Sequence, residues 1–234
     1  ICYATAVALD IAARASDPKV AAAAAARGAL LTPIAKAFST DIGNEAASLG
    51  VQVHGGMGFI EETGAAQHYR DARITPIYEG TNGIQSIDLV TRKLGAKGGE
   101  SVWALLDELS EIVRQVEASN DPAFGATALR LREALEALER ASRWLLDRLG
   151  TAPNEALAGA TPYLRLFGST LGGCLLAKEA LAARDAGDRF GDPNRYTMVA
   201  RFFAENVTVQ APSLERTVVE SADAVLAADT VLSG

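Results

Sequence analysis

Cysteine and histidine, the residues that form disulfides and bind zinc, are scarce in this sequence. The chain has two of each among 234 residues, and Cys2 and Cys174 lie far apart along it. Neither a disulfide framework nor a zinc site is therefore expected, and His54 and His68 add too few ligands to change that. We predict that the chain binds no metal.

Clusters of basic residues and long apolar runs are also absent from the sequence. The formal net charge is -7, and the lysines and arginines are scattered among acidic residues, so the sequence carries no footprint for a phosphate backbone. No apolar run reaches the ~20 residues that a membrane-spanning helix needs. We expect neither a nucleic-acid partner nor a membrane, and we expect a cytoplasmic location, for which an acidic balance is ordinary.

The sequence also lacks the alternation of apolar and polar residues that half-buried strands show. Hydrophobic residues make up 49% and aromatic residues 6% of the chain, and alanine, which loses the least on entering a helix, is abundant. Residues 102–116 carry apolar side chains at helical spacing, which indicates an amphipathic helix. The sequence predicts an all-α fold.

Capping signals and glycines divide the first part of the chain. Asp17 can cap a helix that has Pro18 at its first position, and Pro33 predicts either a kink or a break farther along. The expected elements are a helix over 1–15, a helix from Pro18 to about His54, a loop over 55–64, a short helix over about 65–71, an extended segment over 74–78, and a helix from near Thr81 to about Gly95.

The glycines of AKGG, residues 96–99, indicate a domain boundary. We predict one helical domain over 1–96 and a second helical bundle over 97–234. In residues 129–149 the leucines alternate between spacings of four and three, which fits either a coiled-coil seam or, as we favour, one helix of a bundle. Further helical segments are expected over 161–186 and 193–230, the last one broken at Pro212.

The segment VQVHGGMGF, residues 51–59, has three glycines within four positions. Glycines allow backbone N–H groups to approach a phosphate or a ring closely. The spacing fits neither a P-loop nor a dinucleotide-binding fingerprint, and the esterase reading of its His-Gly-Gly fails because no G-x-S-x-G occurs. The residues alone leave two readings, a tight turn between helices and a ligand-binding loop.

A single carboxylate, Glu79, stands in ITPIYEGTNGIQ between an apolar-aromatic run and a Gly-Thr-Asn-Gly turn. It could favour the dipole of a helix that begins near Thr81. It could instead be partly buried among Pro76, Ile77 and Tyr78 and act as a general base. The sequence by itself does not separate the two readings.

Two motifs together strongly resemble the C-terminal helical domain of acyl-CoA dehydrogenases. They are Q-x-x-G-G-x-G-F at residues 52–59 and R-D-A-R-I-x-x-I-Y-E-G-T at residues 70–81, and the resemblance covers about residues 1–95. Residues 100–234 resemble an additional helical domain of a larger subgroup, some of whose members act on methylthiopropionyl-CoA and other short acyl-CoAs. The resemblance implies a helical bundle of the family's C-terminal type followed by a second bundle.

The resemblance also implies a reaction and a cofactor, FAD. Glu79 would remove the α-proton of an acyl-CoA thioester, and the β-hydrogen would leave as hydride to flavin N5, giving a trans-2-enoyl-CoA. The implied FAD contacts are Gln52, Val53, His54, Gly55 and Gly56, which reach a cofactor held mainly by the neighbouring subunit, and Gly80, Thr81, Asn82 and Gly83, which contact the subunit's own flavin. Gly83 departs from the family pattern, in which a glutamine is frequent.

The family pattern further implies partners and missing parts. We expect an acyl-CoA substrate of unspecified chain length, an electron-transfer flavoprotein as acceptor, and a homodimer. Because an N-terminal helical domain and a middle β-barrel are absent from the sequence, we expect the 234 residues alone to be inactive. The alternatives are a related flavoprotein that binds nucleic acid in a damage response, and a structural oligomerisation module.

Overall fold

The computed structural model describes residues 1–187, 189 and 191–232, and these residues form helices and turns. The helices are α1 (Cys2–Arg14), α2 (Pro18–Val53), α3 (Gly56–Phe59), α4 (Ala65–Arg73), α5 (Asn82–Asp88), α6 (Glu100–Ala118), α7 (Thr127–Thr151), α8 (Pro153–Ala158), α9 (Ala160–Ala186), α10 (Pro193–Asn206), α11 (Ala211–Glu220) and α12 (Ala222–Leu232). A π-helical stretch, Leu89–Leu94, follows α5. No strand occurs in these ranges, so the all-α prediction is confirmed.

The chain divides into two compact units, one of residues Cys2–Leu89 and one that begins at Val90 and includes Ile1. The predicted domain boundary between residues 96 and 97 stays a prediction. Within the described ranges, no helix combines the length and the apolar character that crossing a membrane requires.

Helix α2 is the long element of the first unit. Its start is the predicted one, because Asp17 Oδ1 accepts a hydrogen bond from the backbone N–H of Lys19 at 2.8 Å and Pro18 occupies the first turn. The helix continues through Pro33, so of the kink and the break that the sequence left open, the break does not occur. Leu30 and Ile34 on either side of Pro33 are fully buried, and this packing holds the helix together where proline removes one backbone hydrogen bond.

Gly43 offers a stabilising substitution in α2. A Cβ added there would meet no atom within 4 Å, so Gly43→Ala should raise the free energy of unfolding by about 0.5–1 kcal/mol through helix propensity. Gly28, on the same helix, is the matched control, because its Cβ would lie 2.8 Å from Leu9 Cδ2. Urea denaturation of both variants checks this. A midpoint for Gly43→Ala at or below wild type, or a larger gain for Gly28→Ala, would contradict it.

Two local predictions of the first unit are wrong. Residues 55–64 are not one loop, because they contain α3 and a 3-10 turn, Glu61–Thr63. Residues 74–78 are not extended, since the N–H groups of Ile77 and Tyr78 both donate to the carbonyl of Ile74. The Thr75 hydroxyl continues the end of α4 by donating to the carbonyl of Ala72 at 2.7 Å, and these local bonds override the strand preference of the side chains.

The second unit is built around α7 and α9. Helix α7 packs against α6, α9 and α11, with Leu131, Leu135, Leu138 and Leu145 buried, so the seam belongs to a bundle as favoured from the sequence. The polar position in that seam, Ser142, donates to the carbonyl of Leu138 at 2.7 Å and lies 2.8 Å from the hydroxyl of buried Tyr163.

Burial also raises the pKa of the Cys174 thiol to about 12, which leaves it chemically inert.

Candidate active site

Glu79 occupies a strained turn between α4 and α5. Its φ is +52°, in the left-handed region that side chains other than glycine rarely adopt, and Gly80 follows at +85°. The Glu79 carbonyl accepts a hydrogen bond from Gln85 Nε2 at 3.2 Å, and the carboxylate is exposed. Strained residues of this kind concentrate at functional sites.

Neither sequence reading of Glu79 describes its surroundings fully. The cap of α5 is Thr81, whose Oγ1 accepts from the backbone N–H of Ile84 at 3.4 Å, so Glu79 is not the cap. The expectation of a partly buried carboxylate is wrong for this chain, because the flanking Ile77 and Tyr78 are themselves 45% and 50% exposed. The turn therefore presents both the acid and its apolar neighbours to whatever lies over it.

Asn82 ties the Glu79 turn to α2. Its backbone N–H donates to the carbonyl of Pro76 at 3.0 Å. Its Nδ2 lies 2.6 Å from Asp41 Oδ1 and 3.1 Å from the carbonyl oxygen of Ala37, and its Oδ1 accepts from Lys36 Nζ at 2.8 Å. The side chain is thus engaged within the protein. The family resemblance implies a cofactor contact for Asn82, whereas its anchoring to α2 is evident only in the fold.

A cleft of about 550 Å³ opens beside the turn. Thr81, Asn82 and Gly83 contribute to one part of its lining and Asn44 of α2 to another. The Asn44 amide donates to the carbonyls of Thr40 and Ala72 at 2.9 and 3.0 Å, while its Oδ1 is buried without a partner. Leaving such an oxygen unsatisfied is costly, so Asn44 keeps an acceptor that the described residues do not use.

The second predicted group, residues 52–56, ends α2 and leads into α3. Gln52 and Val53 form the last turn of the helix, and His54 Nδ1 lies 2.8 Å from the carbonyl oxygen of Gly50. Since a carbonyl only accepts, Nδ1 carries the proton in this contact. All five residues are exposed, and a Cβ on Gly55 or Gly56 would meet nothing within 4 Å. This backbone is open to close approach by a ligand.

Gly58 has a different role from the two glycines before it. It is buried, and a Cβ built on it would lie 2.2 Å from the carbonyl oxygen of Val51 and 2.8 Å from His54 Cβ. The sequence reasoning grouped the glycines together. In the structure Gly58 allows α3 to pack on the end of α2, and so sets the geometry of residues 52–56.

Arg70 fixes the neighbouring 3-10 turn through a bidentate contact, in which Nη1 and Nη2 each lie 2.8 Å from a carboxylate oxygen of Glu61. The hydrogen bond and charge of Arg70 lower the pKa of Glu61. Because the pKa of Glu61 is lowered in the folded chain, the contact contributes to folding stability at pH values above the ordinary carboxyl pKa. That contribution is lost as the pH falls through the lowered pKa. Both groups are exposed, so the contact orients the turn more than it stabilises the fold.

The structure keeps the two groups of predicted cofactor residues apart. Residues 80–82 meet α2 at Lys36–Asp41, whereas residues 52–56 lie at the end of that helix. At about 1.5 Å per residue, the distance from Asp41 to Gln52 along the helix is about 16 Å. Two separate contact areas result. In the described ranges, no group of three or more His, Cys, Asp or Glu side chains could hold a metal.

Two family models match the chain. The model described as "Acyl-CoA dehydrogenase, C-terminal domain" matches residues 3–94, and the model described as "Acetyl-CoA dehydrogenase C-terminal like" matches residues 105–229. The first match includes every predicted site residue. The second covers most of the described second unit.

Curated relatives match over both units. The chain is 40% identical over 201 residues to 3-methylmercaptopropionyl-CoA dehydrogenase of Ruegeria pomeroyi, covering 85% of this chain and 34% of the relative. It is 30% identical over 207 residues to a butyryl-CoA dehydrogenase of Syntrophomonas wolfei, covering 85% and 32%. A shorter match, 43% identical over 54 residues, covers 23% of this chain and 14% of the caffeyl-CoA reductase-Etf complex subunit CarC of Acetobacterium woodii. The chain thus spans about a third of the length of the first two relatives.

Proposed function

Because the chain belongs to the acyl-CoA dehydrogenase family, we propose that it forms the C-terminal part of an FAD-dependent enzyme that converts an acyl-CoA thioester to a trans-2-enoyl-CoA. The observation that carries the proposal is the strained backbone of Glu79, whose φ is +52° and whose exposed carboxylate lies next to a cleft lined by Thr81 and Gly83. Backbone strain at an acid that no helix cap requires supports a catalytic use.

In the proposed reaction Glu79 removes the α-proton of the thioester. Its carboxylate is accessible in this chain, so a substrate can approach it directly. The backbone N–H of the same residue is proposed to donate to the thioester carbonyl, where negative charge develops as the proton leaves. FAD, when bound, accepts the β-hydrogen as hydride. The exposed Ile77 and Tyr78 would exclude water from the carboxylate once a substrate covers them.

The residues of the first unit fit FAD in two places. Beside the turn, Thr81 offers a hydroxyl and Asn44 a buried oxygen without a partner, which would accept a hydrogen bond from a cofactor N–H or O–H. Gly80 and Gly83 let the backbone approach, and the Asn82 side chain, engaged with α2, would contribute through its main chain. At the end of α2, Gly55 and Gly56 leave open space for a pyrophosphate or ring, flanked by Gln52, Val53 and His54.

The partners are part of the proposal. The relatives named as dehydrogenases of 3-methylmercaptopropionyl-CoA and butyryl-CoA support a short acyl-CoA as substrate. The relative named as a subunit of an Etf complex supports an electron-transfer flavoprotein as electron acceptor. We also propose a homodimer, in which residues 52–56 contact the cofactor of the other subunit, and a cytoplasmic location.

Anaerobic titration of the full-length, FAD-loaded protein tests the proposed function. Adding 3-methylmercaptopropionyl-CoA or butyryl-CoA should bleach the visible flavin absorbance, because the flavin is reduced as the enoyl product forms. Free CoA serves as the control ligand, since it has no acyl carbons to dehydrogenate. A protein that holds FAD but bleaches with neither thioester would contradict the proposal.

A further inference from the structure

We propose that Lys36 is a positioning residue for the reaction, one that holds the backbone of the Glu79 turn in its strained conformation. The inference rests on the proposed function, because it takes Glu79 as the base. Lys36 lies on α2, far from Glu79 in the sequence, and neither the motif at residues 52–59 nor the motif at residues 70–81 contains it.

The ammonium group of Lys36 contacts two points of the turn. Nζ donates to the carbonyl oxygen of Gly80 at 2.8 Å and to Oδ1 of Asn82 at 2.8 Å. Gly80 directly follows Glu79, and Asn82 is the first residue of α5. One side chain from α2 therefore bridges the peptide next to the base and the start of the following helix.

The turn needs such external contacts. Glu79 at φ +52° and Gly80 at +85° occupy sparsely populated backbone conformations, which persist only where the surrounding structure over-determines them. Gln85 Nε2 holds the Glu79 carbonyl at 3.2 Å, but it lies on α5, the helix that directly follows the turn. From the separate, long helix α2, Asp41 holds the side chain of Asn82, and Lys36 adds a contact to the carbonyl of Gly80, next to Glu79 itself.

The chemistry of this contact favours positioning over simple charge pairing. Both acceptors of Lys36 are neutral oxygens, so the positive charge is directed at the backbone and side-chain dipoles of the turn. Hydrogen bonds with an ionised donor are stronger than neutral ones, and the contact of Lys36 with Asn82 is partly buried, which reduces its screening. The backbone from which the Glu79 side chain extends toward a substrate is therefore held in place.

A double-mutant cycle on the full-length, FAD-loaded protein tests the role. Lys36→Met keeps the aliphatic stem and removes the donors, and it should slow single-turnover flavin reduction by about 10- to 100-fold, since small displacements of a catalytic group cost that much. In the Glu79→Gln background the same substitution should change the rate by less than about 2-fold, because a residue that acts only through Glu79 has nothing left to position.

Two further variants complete the design. Lys36→Arg keeps a charged donor and should recover part of the lost rate. Lys19→Met, which removes an exposed lysine near the start of the same helix, should reduce flavin at the wild-type rate. Amide hydrogen exchange gives a readout separate from activity: Lys36→Met should raise exchange in a peptide covering residues 77–85, with the rest of α2 unchanged.

The outcomes separate the two levels of the proposal. If Glu79→Gln is slow but Lys36→Met reduces flavin at the wild-type rate, the positioning role is overturned and the proposed function stands. Equal slowing by Lys36→Met in both backgrounds, or unchanged exchange at residues 77–85, also overturns it. If Glu79→Gln reduces flavin as fast as wild type, Glu79 is not the base and both the catalytic assignment and the positioning role fail.

Discussion

Replacing Glu79 with glutamine should slow reduction of the flavin by an acyl-CoA by about 10³-fold or more. Glutamine keeps the size and shape of the side chain but cannot accept the α-proton at its amide. Because the Glu79 side chain is exposed in this chain, the substitution should leave folding unchanged. Stopped-flow measurement of single-turnover flavin reduction in the full-length protein, without oxygen, gives the rate directly.

Matched variants make this result specific. Glu62→Gln removes another exposed carboxylate of the same unit and should reduce flavin at the wild-type rate. Glu79→Asp keeps the carboxylate but withdraws it by one methylene, so an intermediate rate is expected from the loss of alignment. Wild-type rates in Glu79→Gln would mean that the strained turn has a structural use and that the base lies elsewhere.

Gly58→Ala should lower the free energy of unfolding by about 2–3 kcal/mol, the cost of forcing extra volume into a packed site. The added Cβ would lie 2.2 Å from the carbonyl oxygen of Val51, and a backbone atom cannot rotate away as a flexible side chain can. Helix α3 would have to move away from the C-terminal end of α2. Urea denaturation of the 234-residue chain, with the midpoint and slope compared with wild type, checks the loss.

Gly56→Ala is the control for that change. It adds the same methyl group two residues earlier, where nothing lies within 4 Å, so its effect should stay within about 0.5 kcal/mol. In the full-length protein, Gly58→Ala should also weaken FAD binding, because residues 52–56 depend on the packing that Gly58 allows. Equal stability of the two variants would show that the end of α2 adjusts to the methyl group at little cost.

The sequence predicted the helices best where a local signal decides the structure. Asp17 caps the helix that the sequence assigned to it, and Asp192 in the same way caps the helix at the start of the segment expected from residue 193, because an Asp-Pro pair sets both the first hydrogen bond and the backbone angle. Pro212 marks the break before α11 as expected. The conformation of residues 74–78 was harder to predict, because their side chains favour strands whereas hydrogen bonds to the carbonyls of Ala72 and Ile74 continue the turn.

The sequence pointed to candidate site residues but not to the surroundings that the fold gives them. The motif that contains Glu79 located the candidate base, because that pattern is specific. Its exposure was not predictable, since apolar neighbours in the sequence bury a carboxylate only if they fold over it, and Ile77 and Tyr78 do not. Lys36 gave no signal, because its acceptors are oxygens that only the folded chain brings to α2.

The continuous helix α2 also limits how this protein can change during evolution. Between Asp41 and Gln52, exposed side chains, unlike Asn44, which reaches the carbonyl of Ala72, can be exchanged for others that suit a helix without moving either contact area. A single inserted or deleted residue is different, because it turns everything beyond it by about 100° and shifts it by about 1.5 Å. Residues 52–56 would then point away from their present direction while the Glu79 turn stayed in place. The exposed positions of this stretch should therefore vary among descendants of the sequence, while Asn44 and the length of the stretch stay fixed.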